Sequence, residues 1–314
     1  MITTIVIPVR GKSALTEQCL NGLHAELGDR GDVEVVVVDD GSLDETRSLL
    51  DRIDWIRVLR HRDAKGFACS CNEGAAAGSG EYIIFLNNDT LGRSGWFENL
   101  VTYAADNPAT GAVGAKLVYP NETIQHAGIV ICSDLLPRHV YRGFAADHLA
   151  VSRSRSFQAV TAACVLVARA AFDEVDGFDE GYSNGFEDVD LCLRLRAAGY
   201  DVAYCAESTL VHFEAATRGE DSELFRRNAE RYLARWANVV QQDDIGTYVE
   251  DGLVRIAAGD VYPLDLRVDP LLASFDTEGT LADAFRLLGI RSRQVFDLLK
   301  ENTRLSTGSS DSAR

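Results

Sequence analysis

The 314-residue chain is 46% hydrophobic and 25% charged, an ordinary balance for a soluble globular protein with room for one large domain or two smaller ones. Its formal net charge of −17 disfavours nucleic acid and anionic membrane surfaces as partners, a local basic patch around Arg153, Arg155 and Arg169 apart. No run reaches the roughly 18 apolar residues of a membrane span, and Thr3-Thr4-Ile5-Val6-Ile7 reads as a strand rather than a leader. Thr3 to Val9 is a β-branched run closed by Pro8-Val9-Arg10-Gly11, a buried strand with a sharp exit. Ser13 to Leu27 carries Leu15, Cys19, Leu20, Leu23 and Leu27 at helical spacing, and Val33 to Val38 is a second apolar strand. Continuous apolar strands separated by helices indicate a parallel sheet covered on both faces.

The second strand ends in Asp39-Asp40-Gly41-Ser42. Ligands of open α/β sheets bind beyond the carboxyl ends of the strands, so these acids are candidate ligand contacts, or else caps for the helix that runs to Leu50. Neither a G-x-G-x-x-G turn after the first strand nor a G-x-x-x-x-G-K-[ST] loop is present. Ile56 to Leu59 is a third strand, and Gly66-Phe67-Ala68 opens a small-residue helix carrying Asn72, able to approach a sheet or ligand closely. Glu81 to Leu86 is a fourth strand stopped by Asn87-Asn88-Asp89-Thr90. A carboxylate and two amides at the same edge as Asp40 suit a hard cation shared with substrate phosphates, or form a polar turn.

A helix over Trp96–Ala105 leads to a fifth strand at Gly111–Val118. From Gln125-His126-Ala127-Gly128 to Phe157 the chain is mixed in character and reads as an excursion at the sheet rim, where acceptor-binding loops would lie; His139 and His148 receive no role. Val160–Val167 reads as a strand, Ala168–Val175 as a short helix and Gly177–Glu180 as a turn. Glu187, Asp188 and Asp190 then open an apolar-periodic helix, where the helix dipole favours acids with or without a chemical role. Gly199–Tyr204 and Leu210–Phe213 read as two more strands, with His212 at an exit as metal ligand or core histidine. The seven scattered cysteines, Cys69-x-Cys71 included, read as reduced packing thiols of a cytoplasmic protein.

Ile5-Val6-Ile7-Pro8-Val9, Val38-Asp39-Asp40-Gly41-Ser42, Gly66-Phe67-Ala68 with Asn72, Leu86-Asn87-Asn88-Asp89-Thr90, Gln125-His126-Ala127-Gly128, Gly177-Phe178-Asp179-Glu180, Phe186-Glu187-Asp188-Val189-Asp190 and Val211-His212 resemble, in order and spacing, the family 2 glycosyltransferases, particularly the bacterial rhamnosyltransferase-like branch. The resemblance runs from residue 2 to about 236. It implies a GT-A fold, a Rossmann-like, mostly parallel central sheet flanked by helices over residues 1–240, binding a nucleotide sugar through 1–118 and an acceptor through 119–240. By position it makes Asp40 the acid that bonds the nucleotide base, with Asp39 supporting the turn. Pro8, Val9 and Arg10 would line the same pocket, with Gly66, Asn72 and Asn88 as further donor contacts. Asp89 matches the last acid of a DxD-type motif that binds Mg2+ or Mn2+ on the donor diphosphate, Asn87 stands where that motif often begins with Asp, and His212 would complete the metal shell. Asp188 matches the base of inverting members, with Glu187 orienting the acceptor or the helix and Asp190 structural. The implied partners are a dTDP- or UDP-sugar and a hydroxyl acceptor on a glycan, a lipid-linked glycan or a small molecule, and the implied location is cytoplasmic, peripheral to the inner face of a membrane.

After Trp236 the resemblance fades. Thr247–Val268 reads as strand-like pieces with turns at Gly252, Gly259 and Pro263, and residues 279–303 as an amphipathic helix. Residues 241–304 are expected to cover the catalytic domain or to form a homodimer contact, and the Ser/Gly-rich tail 305–314 to be disordered. A catalytically silent nucleotide-sugar-binding or scaffold protein is the competing reading, against which the retention of Asp40, Asp89 and Asp188 together speaks. A nucleotidyltransferase would need a longer Gly-rich basic loop than Arg10-Gly11-Lys12.

Overall fold

Two β-branched runs, Thr3–Val9 (β1) and Val33–Asp39 (β2), pair in parallel, and both faces of β1 are buried. The helix Ser13–Leu27 (α1) connects them, with Cys19, Leu20, Leu23 and Leu27 packed into the core beneath Ile5, Ile7 and Val37. The computed structural model describes residues 2–28, 30–213, 222–257, 265–275, 290 and 293–301. It divides into two units, Met1–Ile131 with Leu135–Gln241, and Cys132–Asp134 with Gln242–Arg314.

In the first unit the chain continues through Thr46–Leu50 (α2), Arg57–Arg60 (β3), Phe67–Ala77 (α3), Tyr82–Leu86 (β4), Thr90–Gly92 (β5), Trp96–Asp106 (α4) and Thr110–Val118 (β6). Short strands Ile124–His126 (β7), Ile129–Ile131 (β8), Pro137–His139 (β9) and Arg155–Ser156 (β10) follow, then Cys164–Ala168 (β11), Arg169–Glu174 (α5), Glu187–Ala197 (α6), Asp201–His212 (β12) and Ser222–Trp236 (α7). The sheet has the order β10-β12-β6-β11-β4-β1-β2-β3, with β5 also paired to β12 and β7 to β6. The pairings make six strands run one way (β1, β2, β3, β4, β6, β12), while β5, β7, β10 and β11 oppose them. This is the mixed α/β, GT-A architecture. The carboxyl ends of β1, β2, β4 and β12, carrying Val9, Asp39, Leu86 and His212, therefore lie along one edge of the sheet.

Helix α3 lies close against this sheet because it lacks a side chain at Gly74, where a Cβ would stand 2.3 Å from Val6 Cγ1. The expected strands at 199–204 and 210–213 are one strand, β12, because a register shift between Cys205 and Thr209 interrupts the apolar alternation without ending the ladder. The strand expected from Val160 begins only at Cys164, since the amides of Thr161, Ala162 and Ala163 bond side chains instead of a neighbouring strand. All seven cysteines are free and six are buried, and among the described residues no helix is long and apolar enough to cross a membrane.

The second unit contains Asp244–Glu250 (α8), an antiparallel pair Val254–Ala257 (β13) with Asp265–Val268 (β14), and Pro270–Phe275 (α9). Helix thus replaces strand at the start of the 247–268 stretch, and Gly252 at φ +72 makes the turn into β13. Residues 293–301 are helical; the rest of the 279–303 helix, residue 290 apart, and the 305–314 tail lie outside the described residues.

Candidate active site

Asp40 sits just beyond β2, 5% exposed, and its backbone N–H donates to Val9 O at 2.8 Å. Its Oδ1 meets His61 Nδ1 at 2.7 Å and accepts from the Lys65 N–H at 2.7 Å, and Oδ2 accepts from the Gly66 N–H at 3.0 Å. Burial pushes this carboxyl upward, but the bonds from His61, Lys65 and Gly66 together outweigh it and hold it below the ordinary carboxylate range. A carboxylate has about four acceptor positions, so these contacts leave one on Oδ2 for a ligand N–H. Gly66 is at φ +96 with nothing within 4 Å of a would-be Cβ, so glycine is required there by backbone conformation rather than by space. Asp39, 3% exposed, accepts from the Ser42 N–H at 3.0 Å and so holds the turn after β2.

Asp89 and His212 come from the ends of β4 and β12, with His212 Nε2 3.0 Å from Asp89 Oδ1. The Phe213 N–H donates to Asp89 O at 2.9 Å, which fixes the two strand ends side by side. His212 Nδ1 is 2.6 Å from Gln125 Oε1, an acceptor, so the Nδ1 proton points at Gln125 and Nε2 faces Asp89. Two acceptors that close require a proton or a cation between them. The edge of an octahedral shell with ligands at about 2.1 Å is about 3.0 Å long, and an outer hydrogen bond that fixes the imidazole tautomer is the usual support of a metal-bound histidine. The pair therefore fits a divalent cation. Among the described residues no cluster of three or more His, Cys, Asp or Glu could hold one, so two protein ligands are what this edge supplies. Burial raises the Asp89 carboxyl, but His212 and the nearby charge of Lys12 bring it below its ordinary range.

Helix α6 begins after Asn184, Gly185 and Phe186, all at positive φ, with Phe186 held against Phe225 and Tyr232 of α7. This turn places Asp188, half-buried, so that Oδ2 accepts from the Ala162 N–H at 3.2 Å and Oδ1 from the Val189 N–H at 2.9 Å. Ala163 O in turn accepts from the Asn87 N–H at 2.9 Å, which ties the approach to β11 to the turn that carries Asp89. Glu187, 7% exposed, turns back to the Gly185 N–H and steadies the helix start. Asp190 is fully buried, bonded to Arg194 Nε at 2.7 Å, Trp236 Nε1 at 2.9 Å and Arg235 Nη1 at 3.1 Å, and so pins α6 to α7.

Residues 4–129 match the family described as Glycosyl transferase family 2. The chain belongs to glycosyltransferase family 2. It is 30% identical to an O-antigen biosynthesis protein of Myxococcus xanthus over 70% of this chain and 18% of that protein. It is 27% identical to an N-acetylglucosaminyl-diphospho-decaprenol L-rhamnosyltransferase of Mycobacterium tuberculosis over 64% of this chain and 74% of that one. Relatives at 30% identity or above that align with two thirds or more of this chain are much longer, and it spans 18–42% of their lengths. The fold is shared with a mannosyltransferase of Pyrobaculum calidifontis solved with GDP-mannose and Mn2+, with a TM-score of 0.57 and 18% identity over 79% of this chain and 68% of that one.

Within this family 2 chain some expected contacts take other roles. Asn72 does not face the ligand edge: its Oδ1 accepts from Phe178 N and its Nδ2 donates to Phe178 O and Glu180 Oε1, all at 2.9–3.0 Å, so it ties α3 to the turn at 177–180. The Val9 side chain belongs to the core, and its carbonyl is what reaches the Asp40 turn. Asn88 donates to Thr16 Oγ1 at 2.8 Å, holding the turn that carries Asp89 to α1, while Pro8 and the exposed Arg10 stand at the end of β1. The sequence reading gave no role to His61, Lys65 and Glu73, which surround Asp40, nor to Lys12 near Asp89. Lys12 is at φ +59 in the Gly11-Lys12 turn, a conformation uncommon for a side-chain-bearing residue, and that turn was the signal available for it.

Proposed function

We propose that this chain is an inverting glycosyltransferase that moves a sugar from a nucleoside diphosphate donor to an acceptor hydroxyl, with Asp188 as general base. The observation that carries the reading is the line of acids along adjacent strand ends: Asp40 after β2, Asp89 after β4, and Asp188 held by the chain entering β11. At about 4.8 Å per strand, β2 and β4 are roughly 10 Å apart, a span suited to a nucleoside diphosphate lying across β1. Asp40 accepts an N–H of the base, and Asp89 with His212 would hold Mg2+ or Mn2+. When bound, that cation would supply charge neutralisation for the leaving diphosphate. Gln125 keeps the His212 lone pair directed at the site, and Asp89 stays ionised there.

In the transfer itself, Asp188 takes the proton of the acceptor hydroxyl as its oxygen bonds to the anomeric carbon. The bond from that carbon to the donor phosphate oxygen breaks, and the nucleoside diphosphate leaves on the opposite face with the electron pair. Sugar and acceptor follow the named relatives, a deoxyhexose such as rhamnose passed to a glycan or lipid-linked glycan, and the donor nucleotide, thymidine or uridine diphosphate, follows the resemblance to the family. A soluble enzyme working on the cytoplasmic face of a membrane would suit that acceptor. The test is transfer from a panel of nucleotide sugars by wild type and Asp188→Asn. The variant should lose about 10²–10⁴-fold in turnover while binding donor as wild type does; full activity in the variant would exclude Asp188 as base.

A further inference from the structure

His61 follows β3 and is held at both ring nitrogens by carboxylates, Nδ1 by Asp40 Oδ1 at 2.7 Å and Nε2 by Glu73 Oε2 at 2.8 Å. The side chain is 3% exposed. A neutral imidazole carries one N–H and can serve one of two ionised carboxylates, so both contacts are made together only by the imidazolium. Glu73, on α3, also takes Lys65 Nζ at 2.6 Å, and the backbone N–H of Lys65 goes to Asp40. The charged groups facing His61 are thus Asp40 from the end of β2, Glu73 from α3 and Lys65 from the loop between β3 and α3. Burial alone would pull the imidazole down; the two carboxylates outweigh both that and the Lys65 charge, and raise it. Glu73 is held down to about 2, first by Lys65 and then by His61.

We infer that His61 is a positioning residue for nucleotide recognition: clamped by Glu73 in its charged form, it fixes the Asp40 carboxylate so that its remaining acceptor position faces the nucleotide base. The inference rests on the reading of Asp40 as the base contact. It follows that donor affinity depends on the charge of a group that does not touch the donor. When the imidazolium loses its proton, one of the two carboxylates loses its donor. Where that carboxylate is Asp40, it keeps the two loop amides but loses its one charged donor, and its hold on the orientation that serves the base weakens.

The experiment is calorimetric binding of uridine diphosphate glucose and thymidine diphosphate glucose between about pH 5.5 and about pH 8.5, where histidine is the side chain that ordinarily titrates. Wild type should bind about tenfold more weakly at the upper end, the worth of one charge-assisted hydrogen bond. His61→Asn should be weak and flat across the range, with KM for the donor raised about tenfold and kcat within about twofold of wild type. Glu73→Gln should flatten the profile while keeping His61, because the introduced amide can face a neutral ring. A wild-type profile already flat, or His61→Asn and Glu73→Gln both following the wild-type curve, would overturn the role of His61 while leaving the glycosyltransferase reading intact. Failure of wild type to bind either nucleotide sugar at any pH would overturn both.

Discussion

Replacing Asp190 with alanine should separate the acids of α6 into one that holds the fold and one that does chemistry. Asp190 is fully buried and receives three side-chain hydrogen bonds, from Arg194, Arg235 and Trp236. Truncation leaves the Trp236 N–H and the Arg194 Nε–H facing a void and strands the Arg194 charge, whose side chain is 11% exposed. Breaking a buried pair by removing one partner costs about 3–5 kcal/mol. The Arg235 bond adds little, since that side chain is 43% exposed and water replaces the lost partner. For a domain of this size about 4 kcal/mol corresponds to a melting temperature lowered by roughly 8–16 °C. Urea unfolding followed by tryptophan fluorescence gives the free energy directly, and the same samples, assayed below their transition, give turnover. Asp190→Ala is expected to lose stability and keep most of its turnover per folded molecule, and Asp188→Asn to do the reverse. If Asp190→Ala unfolds within about 1 kcal/mol of wild type while losing transfer, the division of roles between these two acids is wrong.

Asp89→Asn and His212→Ala should each weaken cation-dependent donor binding by about 10–100-fold, the usual scale for a damaged metal shell; donor titrations with and without chelator check this, and equal affinity in both would remove the metal from the site. Stability should peak between about pH 4.5 and about pH 6.5 through the His61–Glu73 pair. Glu73, depressed to about 2 from 4.5, contributes above its unfolded value and loses that contribution as pH falls toward 2. His61, raised from 6.5, contributes below its unfolded value and loses it as pH rises through the folded one. Thermal melts of wild type and His61→Asn should therefore converge on the alkaline side, and parallel curves would contradict the linkage. A chain ending at residue 241 should scatter light as a monomer if the second unit makes a homodimer contact; an unchanged number of subunits would exclude that contact.

Much of the sheet was legible because β1, β2 and β4 are β-branched or aromatic runs ended by turn residues, and those ends are where the acids stand. What was not legible depended on contacts between segments distant in the chain. Asn72 occurs on a small-residue helix in a way that suits a ligand contact, yet its amide is complementary to the Phe178 backbone more than a hundred residues later. His61 lies in the polar stretch Arg60-His61-Arg62-Asp63, where nothing in the local pattern marks it out; its meaning comes from Asp40 and Glu73 meeting it from β2 and α3. The bulge in β12 looked like a break between strands, since a bulge and a turn disturb the period of two alike.

The reversed strand β11 brings to this edge a backbone amide that holds the Asp188 carboxylate. With β11 antiparallel between β4 and β6, its amino end lies beside the carboxyl end of β4, which leads to Asp89. Three successive amides there are taken by side chains: Thr161 by His126 Nε2, Ala162 by Asp188 Oδ2 and Ala163 by Thr161 Oγ1. Because the Thr161 N–H points at His126 Nε2, that nitrogen is the acceptor and the ring proton lies on Nδ1, 2.8 Å from His139 Nδ1. Burial pulls His126 well below its ordinary range, which keeps it neutral and keeps that acceptor in place. The Gln125-His126 stretch thus bears on two of the candidate site residues, through Gln125 on the His212 tautomer and through His126 on the segment that holds Asp188.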